Sequence, residues 1–166
     1  MKKVLLTLVL VIAVMAIFAQ NPVRKGQAQI NAGVGLSSWG IPVYVGFDYG
    51  IHKDFTMGAE VSYRSYRHEW HNHDYDHTVT GISGNLNYHF NHILEIPRNW
   101  DLYAGLNLGF YVWNSPEDYH GDNTSGLGLG AQLGGRFYFT DAVGVNLEVG
   151  GNNAFSGGKL GLSFKL

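Results

Sequence analysis

Apolar residues alternate with small or polar residues along most of this chain, and that alternation constrains the fold more than any other feature. A period of two places successive side chains on opposite faces of a β-strand. Helical periodicity is hard to find after the first twenty residues. Eight such runs are present, and they cover residues 26–36, 43–49, 55–64, 81–90, 102–112, 128–139, 143–150 and 159–166.

The composition of the two strand faces distinguishes water from lipid as the surrounding solvent. A soluble barrel, such as a lipocalin-like carrier, turns its apolar face inward and carries many Lys, Glu and Thr outside. Here the polar face is mainly Gly, Asn, Ser and Tyr, and charged residues make up 14% of the chain, against ~25% in ordinary domains. Such residues fit the narrow lumen of eight strands. We therefore predict an all-β fold, an eight-stranded antiparallel transmembrane β-barrel; a soluble secreted barrel is the alternative.

Aromatic residues argue independently for a membrane. If the chain starts in the periplasm, the aromatic residues that end even strands and begin odd strands fall on one side, although the chain direction alternates. Such a band is typical of a membrane interface. The links on that side are short apart from 91–101, whereas those at 66–77 and 113–125 are long, as expected of external loops. The predicted periplasmic aromatic girdle consists of Tyr49, Phe55, Tyr88, Phe90, Trp100, Phe137 and Phe139.

The first residues predict a secretory signal peptide. Met1-Lys2-Lys3 is basic, residues 4–18 are apolar with one threonine, and Ala19 follows. The apolar run is shorter than the ~20 residues that a membrane-spanning helix needs, and its order matches the regions of a signal peptide. We expect cleavage after Ala19, which leaves residues 1–19 as the signal peptide and residues 20–166 as the barrel domain. A retained N-terminal anchor helix is the alternative.

Composition and motifs exclude several function classes. The chain has no cysteine and a net charge of -2, which argues against disulfides, thiolate metal sites and a nucleic-acid partner. Common hydrolase, zinc-protease and phosphate-binding motifs are absent from the sequence. We expect no enzyme activity and no cofactor. The enzyme alternative is a lipid-directed hydrolase or acyltransferase that uses Ser65, His68 and Glu69, since such chemistry needs a hydroxyl nucleophile, a histidine and a carboxylate.

Charged and titratable residues recur on the inward face of the strands. In a narrow lumen these groups should pair, because an isolated buried charge is costly. We interpret them as an ion-paired, hydrogen-bonded plug; a gate or a narrow polar pore is the alternative. Arg136 and Glu148 lie on neighbouring strands and are the first pair that we expect. The predicted lumen network comprises Asp48, Glu60, Arg64, His89, Arg136, Glu148 and Lys165.

One external segment, residues 67–77, concentrates four of the eight histidines together with three carboxylates. Imidazole nitrogens suit zinc, copper and nickel, so a metal site is one hypothesis. A solvated polar loop and a charge change near pH ~6 are the alternatives, because the spacing is not a strict zinc signature. The candidate metal ligands are His68, His71, His73 and His77.

Residues 134–141, 143–150 and 160–166 carry the clearest part of a resemblance that covers the whole mature chain. The chain resembles the small outer-membrane β-barrel proteins of the OmpA transmembrane domain, OmpX and OmpW type. The chain end is similar to the C-terminal insertion signal of that family, with Phe164 and with Leu166 where many members end in Phe. The resemblance implies a bacterial outer-membrane location and contact with outer-membrane lipid. It also implies that the secretion translocon and the barrel-assembly machinery are partners during biogenesis.

Family members differ widely in role, so the resemblance does not fix a function. We expect a structural or surface-interaction role, through membrane integrity or adhesion by the external loops, with a surface ligand that the sequence does not identify. A small porin-like pore for ions or small solutes is the alternative. Metal capture and lipid modification are further alternatives.

Overall fold

The computed structural model describes residues 23–37, 40–70, 73–114, 125–152 and 156–166. Eight antiparallel strands form a closed barrel, and their order in the sheet follows the chain. The strands are β1 (Ala28–Ser37), β2 (Val43–His52), β3 (Phe55–Trp70), β4 (His73–His89), β5 (Trp100–Asn114), β6 (Gly126–Tyr138), β7 (Val143–Asn152) and β8 (Ser156–Lys165). The predicted fold class is confirmed. The signal peptide and its cleavage site lie outside the described residues and stay predictions.

The last strand closes the barrel against the first. Ile30 on β1 lies opposite Phe164 on β8, and the ladder continues to Ser37 opposite Gly157. Closure pairs the backbone of both terminal strands, which hydrocarbon requires because it offers no hydrogen bonds. Within the described residues, no helix is long and apolar enough to cross a membrane.

The barrel is apolar outside and polar inside, the reverse of a soluble protein. On β2, exposed and buried residues alternate for eight residues; Val45 is 58% exposed, whereas Tyr44 is 6% exposed. On β5, Leu106 is 63% exposed and Tyr103 is 1% exposed. The outward residues are mainly β-branched, leucine and aromatic, which suits both a strand and lipid. The predicted assignment of faces is therefore correct.

Aromatic side chains gather at one end of the barrel, which we call the girdle end. Phe55 lies opposite Tyr88 in the β3–β4 register, and their ring centroids are 5.1 Å apart. Tyr88 also contacts Phe90 at 5.1 Å. Trp100 lies opposite Phe137, with ring centroids 4.8 Å apart. The other predicted members of the girdle, Tyr49 and Phe139, are 42% and 56% exposed at the same end.

At the opposite end, β3, β4 and β5 are longer than expected. They contain 16, 17 and 15 residues, whereas β1, β2, β7 and β8 contain 10 each. The β3–β4 ladder continues to Trp70 opposite His73, so the predicted loop at 66–77 is wrong for residues 66–70 and 73–77, which are strand. The segment is polar enough to resemble a loop, but its backbone is paired. We call residues 64–70, 73–79 and 112–114 the projection.

Candidate functional site

The lumen holds most of the polar chemistry of this chain. Its side chains come from the inward residues of all eight strands, and glycines on the same register make room for them. A Cβ on Gly134 would collide with the Tyr103 ring, and a Cβ on Gly81 would lie 2.7 Å from the Tyr111 ring. The absence of side chains at these positions therefore lets large rings lie across the barrel.

A first ionic cluster lies near the girdle end and centres on Arg136. Its Nη2 atom lies 2.7 Å from Asp48 Oδ2, and its Nη1 atom lies 3.0 Å from Asp101 Oδ2. All three side chains are at most 3% exposed. The guanidinium carbon also lies 4.2 Å from the ring centroid of Tyr103. One arginine therefore joins β6 to β2 and β5 by charge-assisted hydrogen bonds, which are the strong class.

His89 extends this cluster to β3 and β4. Its Nδ1 atom lies 2.7 Å from Asp101 Oδ1, and its Nε2 atom lies 2.9 Å from the Thr56 hydroxyl. Hydroxyl, imidazole and carboxylate follow one another as they do in a nucleophilic triad. All three residues are fully buried, and Arg136 occupies the other carboxylate oxygen of Asp101. Because a substrate has no access to the Thr56 hydroxyl here, the chain of hydrogen bonds serves to fix the lumen.

A second ionic cluster lies farther from the girdle and centres on Lys159. Its Nζ atom lies 2.7 Å and 2.9 Å from the two carboxylate oxygens of Glu60 and 3.1 Å from Glu148 Oε1. The Tyr103 hydroxyl donates a hydrogen bond to Glu148 Oε2 at 2.8 Å. Tyr103 therefore contacts both ionic clusters, with its ring on Arg136 and its hydroxyl on Glu148.

Hydrogen bonds between side chains also cross the lumen. The Tyr44 hydroxyl on β2 donates to Asn146 Oδ1 on β7 at 2.9 Å, and the Tyr138 hydroxyl on β6 donates to Gln29 on β1. Gln132 on β6 likewise donates to Asn87 on β4. Further bonds between side chains of neighbouring strands join Asn107 to Gln132, Asn31 to Asp48 and Asn146 to Ser163. Two cavities of about 40 and about 20 Å³ lie among these side chains, and each has room for only a few water molecules.

Side chains also occupy the lumen toward the projection. The Arg64 guanidinium lies 5.1 Å from the Trp113 ring centroid and is 5% exposed. Val79 and His77 on β4 are 3% and 1% exposed. Buried groups therefore line the inward face from the girdle end to the base of the projection.

The structure brings together five of the seven predicted lumen residues, but in different pairs. Arg136 contacts Asp48 and Asp101 instead of Glu148, and Glu148 contacts Lys159. Arg136 lies opposite Asn146 in the β6–β7 register, so Glu148 is one diagonal step away.

Two of the predicted lumen residues stand apart from both ionic clusters. Lys165 Nζ lies 3.7 Å from the Tyr138 ring centroid, and among the described residues it forms no ion pair with a carboxylate. Arg64 faces Trp113.

Three residues central to these clusters were missing from the prediction. Asp101 was placed in a connection, although it lies two residues before Tyr103 and directly opposite Arg136. Lys159 was placed on the polar face without a partner, and it lies directly opposite Glu148. Extending the fifth strand by its period of two would have found Asp101, and pairing the last two strands would have found Lys159 opposite Glu148. No sequence signal singles out Tyr103, since its role depends on the space above Gly134.

The candidate metal ligands are largely beyond what the structure describes. His71 lies outside the described residues, and only the backbone is described for His68 and His73. His77 is buried. In the described part of the chain, no three His, Asp or Glu side chains form a group that could hold a metal ion. The alternative catalytic set of Ser65, His68 and Glu69 likewise includes side chains that are not described. Both hypotheses stay predictions.

Comparison with known proteins identifies the family of this barrel. A family model described as the outer membrane protein beta-barrel domain matches residues 4–165. The chain belongs to this family. Its location is therefore the bacterial outer membrane, as the sequence predicted. A comparison with curated proteins found no match.

Solved structures of outer-membrane proteins share the fold. OprG from Pseudomonas aeruginosa is similar with a TM-score of 0.64 and 10% identity, covering 88% of this chain and 99% of that one. The N-terminal barrel domain of OprF from the same organism is similar with a TM-score of 0.61 and 16% identity, covering 86% of this chain and 98% of that one. Ail of Yersinia pestis, in complex with the heparin analogue sucrose octasulfate, is similar with a TM-score of 0.57 and 14% identity, covering 86% of this chain and 99% of that one. At these identities the likeness concerns the fold alone.

Proposed function

We propose that this protein is an outer-membrane barrel closed to ions, which acts by presenting its projection outside the cell. The cross-lumen network carries the proposal: Arg136 and Lys159 each occupy the lumen with contacts to two other strands. Porins instead leave a water-filled channel through wider barrels of 16–18 strands. Eight strands leave little more than the space that side chains fill, and the cavities among the described side chains measure only about 40 and about 20 Å³.

The projection supports the second half of the proposal. The β2–β3 ladder runs to Val43 opposite Tyr63, and β3 then continues for seven residues to Trp70. At ~3.3 Å per residue, this is roughly 20 Å of additional strand. It lies at the barrel end opposite the girdle, where membrane barrels carry their external loops.

The composition of the projection suggests what it does not bind. Residues 66–76, beyond the buried Arg64 at the base of the projection, contain one arginine and three carboxylates besides the histidines. A sulfated ligand such as the heparin analogue in the Ail structure is recognised by clustered cations, so that ligand is not carried over to this chain. We expect a surface partner with cationic or polar groups.

Conductance tests the closed lumen. Protein purified from outer membranes and inserted in a planar bilayer should show no steady single-channel steps. The Arg136→Ala/Lys159→Ala double variant should show them, because both central side chains are removed. Each single variant should stay silent, since the other cluster remains. Reproducible steps in the unmodified protein would reject the proposal in favour of the pore.

Shortening the projection tests whether the barrel is independent of it. Residues 67–76 are replaced by Asn-Gly, a two-residue hairpin turn, between the paired residues Tyr66 and His77. We expect a free energy of unfolding within about 1 kcal/mol of the unmodified protein, because the change lies beyond both ionic clusters and surface changes are small. Urea unfolding in detergent micelles measures it. A loss of several kcal/mol would mean that the projection is part of the barrel core and not a separate display element.

A further inference from the structure

A concavity of about 1010 Å³ opens at the girdle end, outside the lumen clusters. Cationic side chains from three separate segments line it: Arg24 before β1, Arg98 before β5 and Lys165 at the end of β8. Asp141 is the one carboxylate among its lining residues. Three cations from distant parts of the sequence therefore face one space with a surplus of positive charge.

The segment that carries Arg24 is held in place by backbone hydrogen bonds. Gly26 N donates to Gly50 O at 2.8 Å, and Gly50 N donates to Gln27 O at 2.9 Å. The Gln27 side chain accepts a hydrogen bond from Arg24 N at 3.0 Å. Gly26 has φ of +85°, a conformation that other residues rarely adopt. The turn therefore fixes the backbone of Arg24 against the end of β2.

The other two cations are also positioned. Tyr138 N donates to Asn99 O at 2.7 Å, which ties the residue after Arg98 to β6. Lys165 N donates to Ala142 O at 2.8 Å, and Lys165 Nζ lies 3.7 Å from the Tyr138 ring centroid. The concavity is therefore bounded by segments with fixed backbones rather than by a loose set of surface charges.

Aromatic girdle residues form part of the same lining. Phe137 and Phe139 border the concavity, and Phe139 is 56% exposed on the lipid-facing side. Girdle residues lie at the level of lipid headgroups. Arginine matches phosphate oxygens with two parallel hydrogen bonds, and in helical membrane proteins basic pockets between the transmembrane helices bind anionic headgroups.

We propose that this concavity binds the phosphate group of an anionic phospholipid from the leaflet at the girdle end. The cations contact the phosphate, and the acyl chains pass over Phe139 into the hydrocarbon. A protein partner would not need the lipid-facing aromatic wall, and a soluble anion would not use it.

Calorimetric titration of protein purified from outer membranes, in a neutral detergent, tests the proposal. The probes are dihexanoyl-phosphatidylglycerol, dihexanoyl-phosphatidylcholine and inorganic phosphate. We expect phosphatidylglycerol to bind, phosphatidylcholine to bind at least tenfold more weakly, and phosphate not to bind. Arg24→Gln/Arg98→Gln should weaken phosphatidylglycerol binding about tenfold or more, because charge-assisted hydrogen bonds are lost. Lys25→Gln is the matched control, since Lys25 neighbours Arg24 but is not among the lining residues.

Three outcomes would overturn the proposal. Equal binding of inorganic phosphate would make this a site for free anions. Equal loss in the Lys25→Gln control would mean a general charge effect. Absence of phosphatidylglycerol binding in the unmodified protein would mean that the concavity holds no such lipid.

Discussion

Replacing Arg136 by Met should lower the free energy of unfolding by about 3–5 kcal/mol, the cost of removing one partner of a buried ion pair. The Asp48 and Asp101 carboxylates would remain in the lumen without their cation, and both are at most 3% exposed. Asp101 would keep its contact with His89 Nδ1 at 2.7 Å, whereas Asp48 would keep no ion-pair partner among the described residues. Urea unfolding of the purified barrel, followed by tryptophan fluorescence, measures the change.

Two variants separate the charge effect from other effects of the substitution. Arg136→Met/Asp48→Asn/Asp101→Asn removes the stranded charges and should recover most of the lost stability, since uncharged replacement of a buried ion pair is often neutral. Lys53→Met removes a cation that is 60% exposed and lies 3.6 Å from Asp54; it should change stability by less than about 1 kcal/mol. If Arg136→Met shifts the midpoint no more than Lys53→Met does, the girdle-end cluster does not stabilise the barrel.

Adding a single methyl group at Gly134 should lower the free energy of unfolding by about 3 kcal/mol, at the upper end of the cost of overpacking. The Cβ of Gly134→Ala would collide with Tyr103, and it would lie 2.8 Å from Cε1 of that ring. Tyr103 is 1% exposed and contacts both Arg136 and Glu148. Displacing its ring would therefore disturb both ionic clusters. Urea unfolding of the purified variant gives the magnitude.

The same strand offers a matched control. Gly126 lies on the same register of β6, and a Cβ there would meet nothing within 4 Å. Gly126→Ala should leave the unfolding midpoint unchanged, because the added methyl group contacts nothing. It is a matched control because both variants make the same chemical change in the same strand. The Gly134→Ala/Tyr103→Ala double variant should be less impaired than the sum of its single variants, because the collision is removed. Equal midpoints for the two alanine variants would show that the Tyr103 ring is not packed as described.

The sequence determined the architecture because lipid and a narrow lumen impose opposite demands on alternate residues. Val45 and Tyr44 are neighbours in the chain, yet one meets hydrocarbon and the other lies in the lumen. That difference is local, and eight alternating runs are enough to specify eight strands. The aromatic girdle follows for the same reason, because Phe55 and Tyr88 meet at one end once the strands alternate in direction.

The tertiary structure alone decided which charges meet. Arg136 contacts Asp48, 88 residues away in sequence, and Lys159 contacts Glu60, 99 residues away. These pairs join strands that are not neighbours in the sheet, and they depend on the tilt and stagger of the strands around the barrel. The alternation along a strand indicates which face a residue occupies. It does not indicate the height in the lumen that the side chain reaches.

The expected pairing of Arg136 with Glu148 was wrong because Tyr103 lies between these two residues. Gly134 has no side chain, so the Tyr103 ring extends across β6. The ring covers the Arg136 guanidinium, while its hydroxyl binds Glu148. The space beside Gly134 on β6 is thus filled by the Tyr103 ring from β5. Alternation along each strand placed all three residues in the lumen, and only packing in three dimensions selected their partners.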